Sequence, residues 1–173
     1  LIQKRSVPWP ALGIIYVAVP CLSVVWLRAD EPHGMLIVIW AFAIVWSTDT
    51  GAYIFGKSIG GPRLAPSISP KKTWAGLVGG TICGTIAGTG AAYASGFASL
   101  GALAAISCAL TFAAHGGDLV ESAVKRHFGV KDSGTLIPGH GGILDRVDGL
   151  IFVWPTMVVA QALHGGSLLP WVP

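Results

Sequence analysis

The chain has 173 residues, 53% of them hydrophobic and only 11% charged, with a formal net charge of +3. Soluble domains carry about 25% charged residues, so this composition, with a mean hydropathy of +0.68, excludes an ordinary soluble domain and indicates a protein embedded in a bilayer. No basic run is interleaved with aromatic residues, which excludes a nucleic-acid face.

The chain opens on a short polar stretch with Lys4 and Arg5 and no signal-peptide pattern. It is expected to be part of a longer protein, with an N-terminal portion missing. Five spanning segments follow, each near the ~20 residues a bilayer requires. They are 11–27 with Pro20 inside, 35–55, 76–94, 97–114, and a run from Leu150 past Pro155 toward Leu163. Each is expected to be helical, because lipid offers the backbone no hydrogen-bond partner and none of the runs alternates as a barrel strand does. Trp9 and Trp26 bracket the first span as interfacial aromatics do. The fold class is therefore all-α: a polytopic membrane protein of about five helices, forming one integral-membrane domain over 1–173.

The basic residues sort by side. Lys57, Arg63, Lys71 and Lys72 fall in one polar loop, and Lys125, Arg126, Lys131 and Arg146 in another. Threading five helices places both loops and the N-terminal Lys4 and Arg5 on one face, leaving only Arg28 opposite. That asymmetry predicts two cytoplasmic loops, with the chain in a bacterial-type inner membrane. The third span repeats glycine at Gly76, Gly80, Gly84 and Gly88. Such a stripe lets another helix backbone approach closely, from this chain or from a second protomer in a homodimer. Cys21, Cys83 and Cys108 lie in apolar runs without close spacing, which excludes a disulfide framework or a zinc cluster.

Five of the eight acidic residues, Asp118, Glu121, Asp132, Asp145 and Asp148, fall within 115–149. Carboxylates at a membrane edge are costly and mark a site. In GGDLVESAVKRHFG, Asp118, Ser122 and Lys125 are spaced to share a helical face, with Glu121 and Arg126 to either side. Lys131 and Asp132 follow, then PGHGGILDRVDG, where Asp145 and Asp148 stand three apart and a helix presents both together. Oxygen-only ligands interleaved with lysine and arginine suit Mg²⁺ and a polyphosphate. The competing reading is a salt-bridged helical hairpin in which pairs such as Asp145 and Arg146 only hold helices together. A second constellation joins Asp49, at the end of the second span, to the Ser/Pro-rich basic loop with Ser67, Ser69, Lys71, Lys72 and Thr73. That loop suits phosphate or serves as a positive-inside anchor. His140, between glycines, belongs to a tight loop passing close to a ligand. His115 and His127 are weaker candidates, and His33 and His164 fall on the opposite face.

The block from Ser122, S-A-V-K-R then K-D then P-G-H-G-G-I-L-D-R-V-D, resembles the signature of the phosphatidate cytidylyltransferase (CDP-diacylglycerol synthase) family. The segments G-D-L-V-E-S, D-T-G-A-Y and S-P-K-K-T-W resemble other blocks of that family, so the resemblance covers about 40–155. It implies transfer of a cytidylyl group from CTP to phosphatidate, with Mg²⁺ and sometimes a monovalent cation. It further implies metal positions at Asp118, Asp145 and Asp148. Lys125, Arg126, Lys131, Asp132, His140 and Arg146 match the polar signature, and Lys71 and Lys72 the S-P-K-K block. Two positions depart from the pattern: Ala75 where many members are acidic, and His115 where the residue is often uncharged. Lys125, Arg126, Lys71 and Lys72 are then expected to neutralise pyrophosphate or the lipid phosphate. A CTP-dependent polyprenol-type lipid kinase is the nearest rival. A cation transporter is the rival of another class, and it predicts acids at a midplane cavity between repeated halves.

Overall fold

The computed structural model of the chain describes residues 8–97, 99–134 and 141–165. Five helices form, α1 Trp9–Arg28, α2 Gly34–Ser58, α3 Trp74–Ala94, α4 Leu100–His127 and α5 Leu144–His164. All five contain stretches long and apolar enough to cross a membrane, as the hydropathy pattern requires, and the chain is a helical membrane protein. Pro20 and Pro155 lie inside α1 and α5 without ending them.

Two boundaries differ from the expectation. Span four does not stop at 114 before a separate polar helix. It continues as one helix to His127, so Asp118, Ser122 and Lys125 extend the spanning helix itself. Span five starts at Leu144 and includes Asp145 and Asp148 in its first turns. The expected polar loop thus shrinks to 128–143. The loop after α2 holds a small antiparallel hairpin, β1 Arg63–Ala65 and β2 Ser69–Thr73, with Arg63 opposite Thr73 and Ala65 opposite Ser69. It is short and carries Pro70 within it, both of which weaken a strand signal.

The glycine stripe of α3 is filled within the chain. A Cβ built on Gly80 would meet Thr48 O at 2.7 Å, and one on Gly84 would run into Thr48 Oγ1 and lie 2.7 Å from Thr111 Cγ2. On Gly88 it would meet Ile44 Cγ1 and Ser107 Oγ, both at 2.6 Å. Their missing side chains let α3 lie directly on α2 and touch α4. That face is therefore not free for a second protomer. Trp40 Nε1 donates to Gly88 O at 2.8 Å and locks the same contact. The interior is completed by fully buried Leu27, Ile37, Ile44, Leu103, Leu110, Leu150, Val153 and Met157. Ile14, Leu22, Val25, Ile39, Ile82, Ile86 and Val159 point outward, as lipid-facing positions do.

The bundle has two chemically different ends. At one, Gln161 Nε2 of α5 donates to Asp30 Oδ2 after α1 at 2.8 Å, and His33 packs edge-on against Phe97 at 5.5 Å. At the other, Trp9 packs on His127 at 4.6 Å and edge-on to Phe128 at 5.1 Å. The hairpin, the last turns of α4 and the first turns of α5 gather there.

The glycine contact yields a contrast. Gly84→Val should destabilise the protein by about 1–3 kcal/mol through overpacking. Gly90→Ala, whose added Cβ meets nothing within 4 Å, should be neutral or slightly stabilising in thermal unfolding in detergent. Equal behaviour of the two variants would remove the packing role of the stripe.

Candidate functional site

The charged residues of α2, the hairpin, α4 and α5 enclose a cavity of about 770 Å³ at that end of the bundle. Helix α2 contributes Asp49, Tyr53 and Lys57 to its wall. These stand at four-residue intervals on one helical face, because α2 runs on to Ser58. The hairpin contributes Arg63, Lys71, Lys72 and Thr73. Helix α4 supplies His115 and Asp118, and α5 supplies Asp145, Arg146 and Asp148.

Thr73 joins the hairpin to α3. Its side-chain oxygen accepts the Gly76 N–H at 3.0 Å and caps the helix, and Trp74 N–H donates to Pro62 O at 3.1 Å. The residue expected to bind substrate is thus engaged in fixing where α3 begins. One residue earlier, Lys72 Nζ forms an ion pair with Asp118 Oδ2. Ser122, a turn further along α4, donates to Asp118 Oδ1 at 3.4 Å. Ser122 is buried and off the cavity wall, so it orients Asp118 from behind.

Asp145 and Asp148 enter differently, although both begin α5. Asp145 Oδ1 accepts Lys125 Nζ at 2.6 Å, and that ammonium also lies 3.2 Å from Glu121 Oε2. Asp145 Oδ2 accepts the Ser133 N–H at 2.8 Å, the Ser133 hydroxyl at 2.9 Å and the Gly142 N–H at 2.8 Å. Asp145, expected as a metal ligand, lines the cavity and at the same time holds Lys125 of α4 with one oxygen and Ser133 and Gly142 with the other. Lys125 is likewise held by two carboxylates and does not line the cavity. Asp148 sits a turn deeper. Asp148 lines the same cavity as Asp49 and Asp118. The close approach of α5 depends on Gly117, where a Cβ would lie 2.6 Å from Asp148 O.

Other expected site residues fall outside this arrangement. Arg126 lies off the cavity wall, with Nε donating to Ile68 O at 3.3 Å and Nη1 to Val130 O at 2.9 Å. Lys131 and Asp132 are exposed beyond the wall, and Ser69 is half-buried in β2, away from it. His127 packs under Trp9. His140 lies outside the described residues. Among the described residues, no three His, Cys, Asp or Glu side chains gather into a metal-binding group.

The profile of the cytidylyltransferase family matches residues 2–164. The chain belongs to that family. It is 50% identical over 148 residues to the phosphatidate cytidylyltransferase of Brucella suis biovar 1, covering 86% of this chain and 55% of that protein. It is 46% identical over 147 residues to that of Staphylococcus saprophyticus, covering 84% and 55%. For that of Staphylococcus aureus strain COL it is 44% over 148 residues, covering 85% and 57%. The chain spans about half the length of the curated relatives it matches.

Within this member of the family, Lys57 and Arg63, which the sequence marks only as charges of the basic loop, both line the cavity. The four-residue spacing from Asp49 through Tyr53 to Lys57 was the available signal. Glu121, one residue before Ser122, is nearly fully buried, and its only described ion-pair partner is Lys125.

Lys125 therefore pairs with the buried Glu121 and the half-buried Asp145. Lys125→Met should cost about 3–5 kcal/mol, the range for stranding a buried charge. Adding Glu121→Gln should restore part of the loss in thermal unfolding. A Lys125→Met protein as stable as the parent would show that this ion triad does not hold α4 to α5.

Proposed function

We propose that this chain carries the nucleotidyl-transfer site of a phosphatidate cytidylyltransferase, which converts CTP and phosphatidate into CDP-diacylglycerol and pyrophosphate. The observation that supports it most is a cavity at one end of a membrane bundle, lined by Asp49, Asp118, Asp145 and Asp148 together with Lys57, Arg63, Lys71, Lys72 and Arg146. The printed names of the relatives point the same way. The substrates divide accordingly: acyl chains stay in the bilayer beside α1 to α5, and the phosphates reach the charged end. The site would face the cytoplasm across a bacterial inner membrane, where CTP is available and the clustered basic residues are favoured.

In the proposed reaction a phosphate oxygen of phosphatidate attacks the α-phosphorus of CTP. The new bond is phosphatidate oxygen to α-phosphorus. The bond from α-phosphorus to the bridging oxygen breaks, and pyrophosphate leaves with that electron pair. The phosphate monoester is already ionised near neutral pH, so positioning and charge neutralisation carry the catalysis. Asp118 and Asp148 present hard oxygens to one cavity from α4 and α5. This fits a Mg²⁺ that takes its remaining ligands from phosphate and water. When bound there, the ion would neutralise the carboxylates and the triphosphate oxygens together. Lys71, Lys57 and Arg63 on the opposite wall would receive the β- and γ-phosphates. Lys72 stands between the two groups and would pass from Asp118 to a phosphate oxygen as substrate enters.

Asp118→Asn and Asp148→Asn should each lower CTP-dependent CDP-diacylglycerol formation by at least about 100-fold, the scale of removing one charge-stabilising group. Thermal stability should stay near the parent's. Asp145→Asn should instead lower stability along with activity. Normal turnover with ordinary Mg²⁺ dependence in Asp118→Asn or Asp148→Asn would remove that residue from the site.

A further inference from the structure

The hairpin carries Lys71 and Lys72 over the cavity, yet a two-stranded ribbon has little stability of its own. Its position must be set by neighbours. Its base is joined to α3 through Thr73 and the Trp74–Pro62 bond, and two further ties reach α4, of which one is the Lys72–Asp118 ion pair at the end of β2 nearest α3. The other is at the hairpin tip, where Arg126 Nε donates to Ile68 O at 3.3 Å. The tip is itself closed by Ile68 N–H donating to Ala65 O at 3.1 Å.

The spacing of the two ties matches on both sides. From Asp118 to Arg126 is eight helical residues, about 12 Å at 1.5 Å each. From Ile68 to Lys72 is four extended residues, about 13 Å. The strand therefore tracks the last turns of α4 in a fixed register. The end of α4 is also firm: Gly129 takes a positive φ of 69°, Gly129 N–H donates to Arg126 O at 3.1 Å, and Val130 N–H donates to Lys125 O at 2.9 Å. Arg126 Nη1 then donates to Val130 O at 2.9 Å, fixing the guanidinium plane toward the hairpin tip.

We infer that Arg126 is a positioning residue that pins the hairpin tip to the end of α4 and so sets Lys71 and Lys72 over the cavity. It does not touch the substrate. The inference rests on the proposed nucleotidyl-transfer site for its kinetic consequence, though not for its structural one. The tie at Arg126 matters most when substrate draws Lys72 away from Asp118, because the tip contact then keeps the ribbon on α4. An arginine suits this task better than a lysine: its planar fork addresses Ile68 O and Val130 O at once, which one ammonium on a flexible stem does poorly.

The test compares Arg126→Met, which keeps an apolar stem without donors, and Arg126→Lys with the parent in lipid nanodiscs. Two quantities are read: hydrogen exchange of the amides in 63–73, and steady-state kinetics with varied CTP. Loss of a charge-assisted hydrogen bond should raise hairpin exchange about 10-fold in Arg126→Met. Exchange in the five helices should be unchanged. The KM for CTP should rise roughly 5- to 20-fold with kcat within about 3-fold, the pattern of weakened binding rather than lost chemistry. Arg126→Lys should fall between. Unchanged hairpin exchange in both variants overturns the inference, and so does a kcat loss of about 100-fold with hairpin protection intact. If Arg126→Met does not fold, Arg126→Lys decides alone, and parental hairpin exchange in it overturns the inference. Absence of CTP-dependent product in the parent would instead count against the proposed function, while the exchange result stays readable.

Discussion

Lys125 reaches from α4 to α5 and sets one ammonium 2.6 Å from Asp145 and 3.2 Å from Glu121. Both carboxylates belong to helices that cross the membrane, where an unpaired charge is costly. Satisfying them from a single cation forces α4 and α5 together at this end, and Gly117 removes the side chain that would hold them apart. Asp145 then collects Ser133 and Gly142 with its second oxygen, bringing the connection between the helices back onto their ends. Asp148, one turn along, is carried by the same docking onto the cavity that Asp118 also lines. The carboxylate pair that we assign to the chemistry is thus placed by a neighbouring ion triad.

The opposite wall is built by another kind of contact. Helices α2 and α3 meet backbone to backbone through small residues, which is how helices associate where lipid and side chains are equally apolar. Thr73 caps α3 and fixes the hairpin to it, so the lysines of β2 are positioned by the glycine interface below them. The cavity lies between a wall held by packing and a wall held by charge. Its acids sit at one end of the bundle rather than at a midplane between repeated halves, which is the arrangement a transporter would need.

Much of this was legible in the sequence, for identifiable reasons. Five apolar runs near the spanning length define the helices, because lipid leaves a run that does not alternate like a barrel strand only the helix. The one-sided distribution of Lys57, Arg63, Lys71, Lys72, Lys125, Arg126 and Arg146 anticipates that they gather at one end. Asp118, Asp148, Lys71 and Lys72 were expected at the site and line one cavity. Asp145 and Asp148 were not distinguishable by spacing: same residue type, same helix, three apart. Their difference is set by Lys125, twenty residues from Asp145 in the chain and adjacent in space. The role of Arg126 likewise depends on a backbone carbonyl 58 residues away. The hairpin was obscured by its prolines, and the continuity of α4 by Gly116 and Gly117, which in isolation mark a break.

Tracing the phosphorus atoms of CTP tests the central claim most directly. With the protein in nanodiscs containing phosphatidate and Mg²⁺, CTP labelled at the α-phosphorus should transfer its label to the lipid. CTP labelled at the γ-phosphorus should release it only as pyrophosphate. Label from the γ-phosphorus appearing in lipid, with none from the α-phosphorus, would contradict cytidylyl transfer and identify the site as that of a lipid kinase.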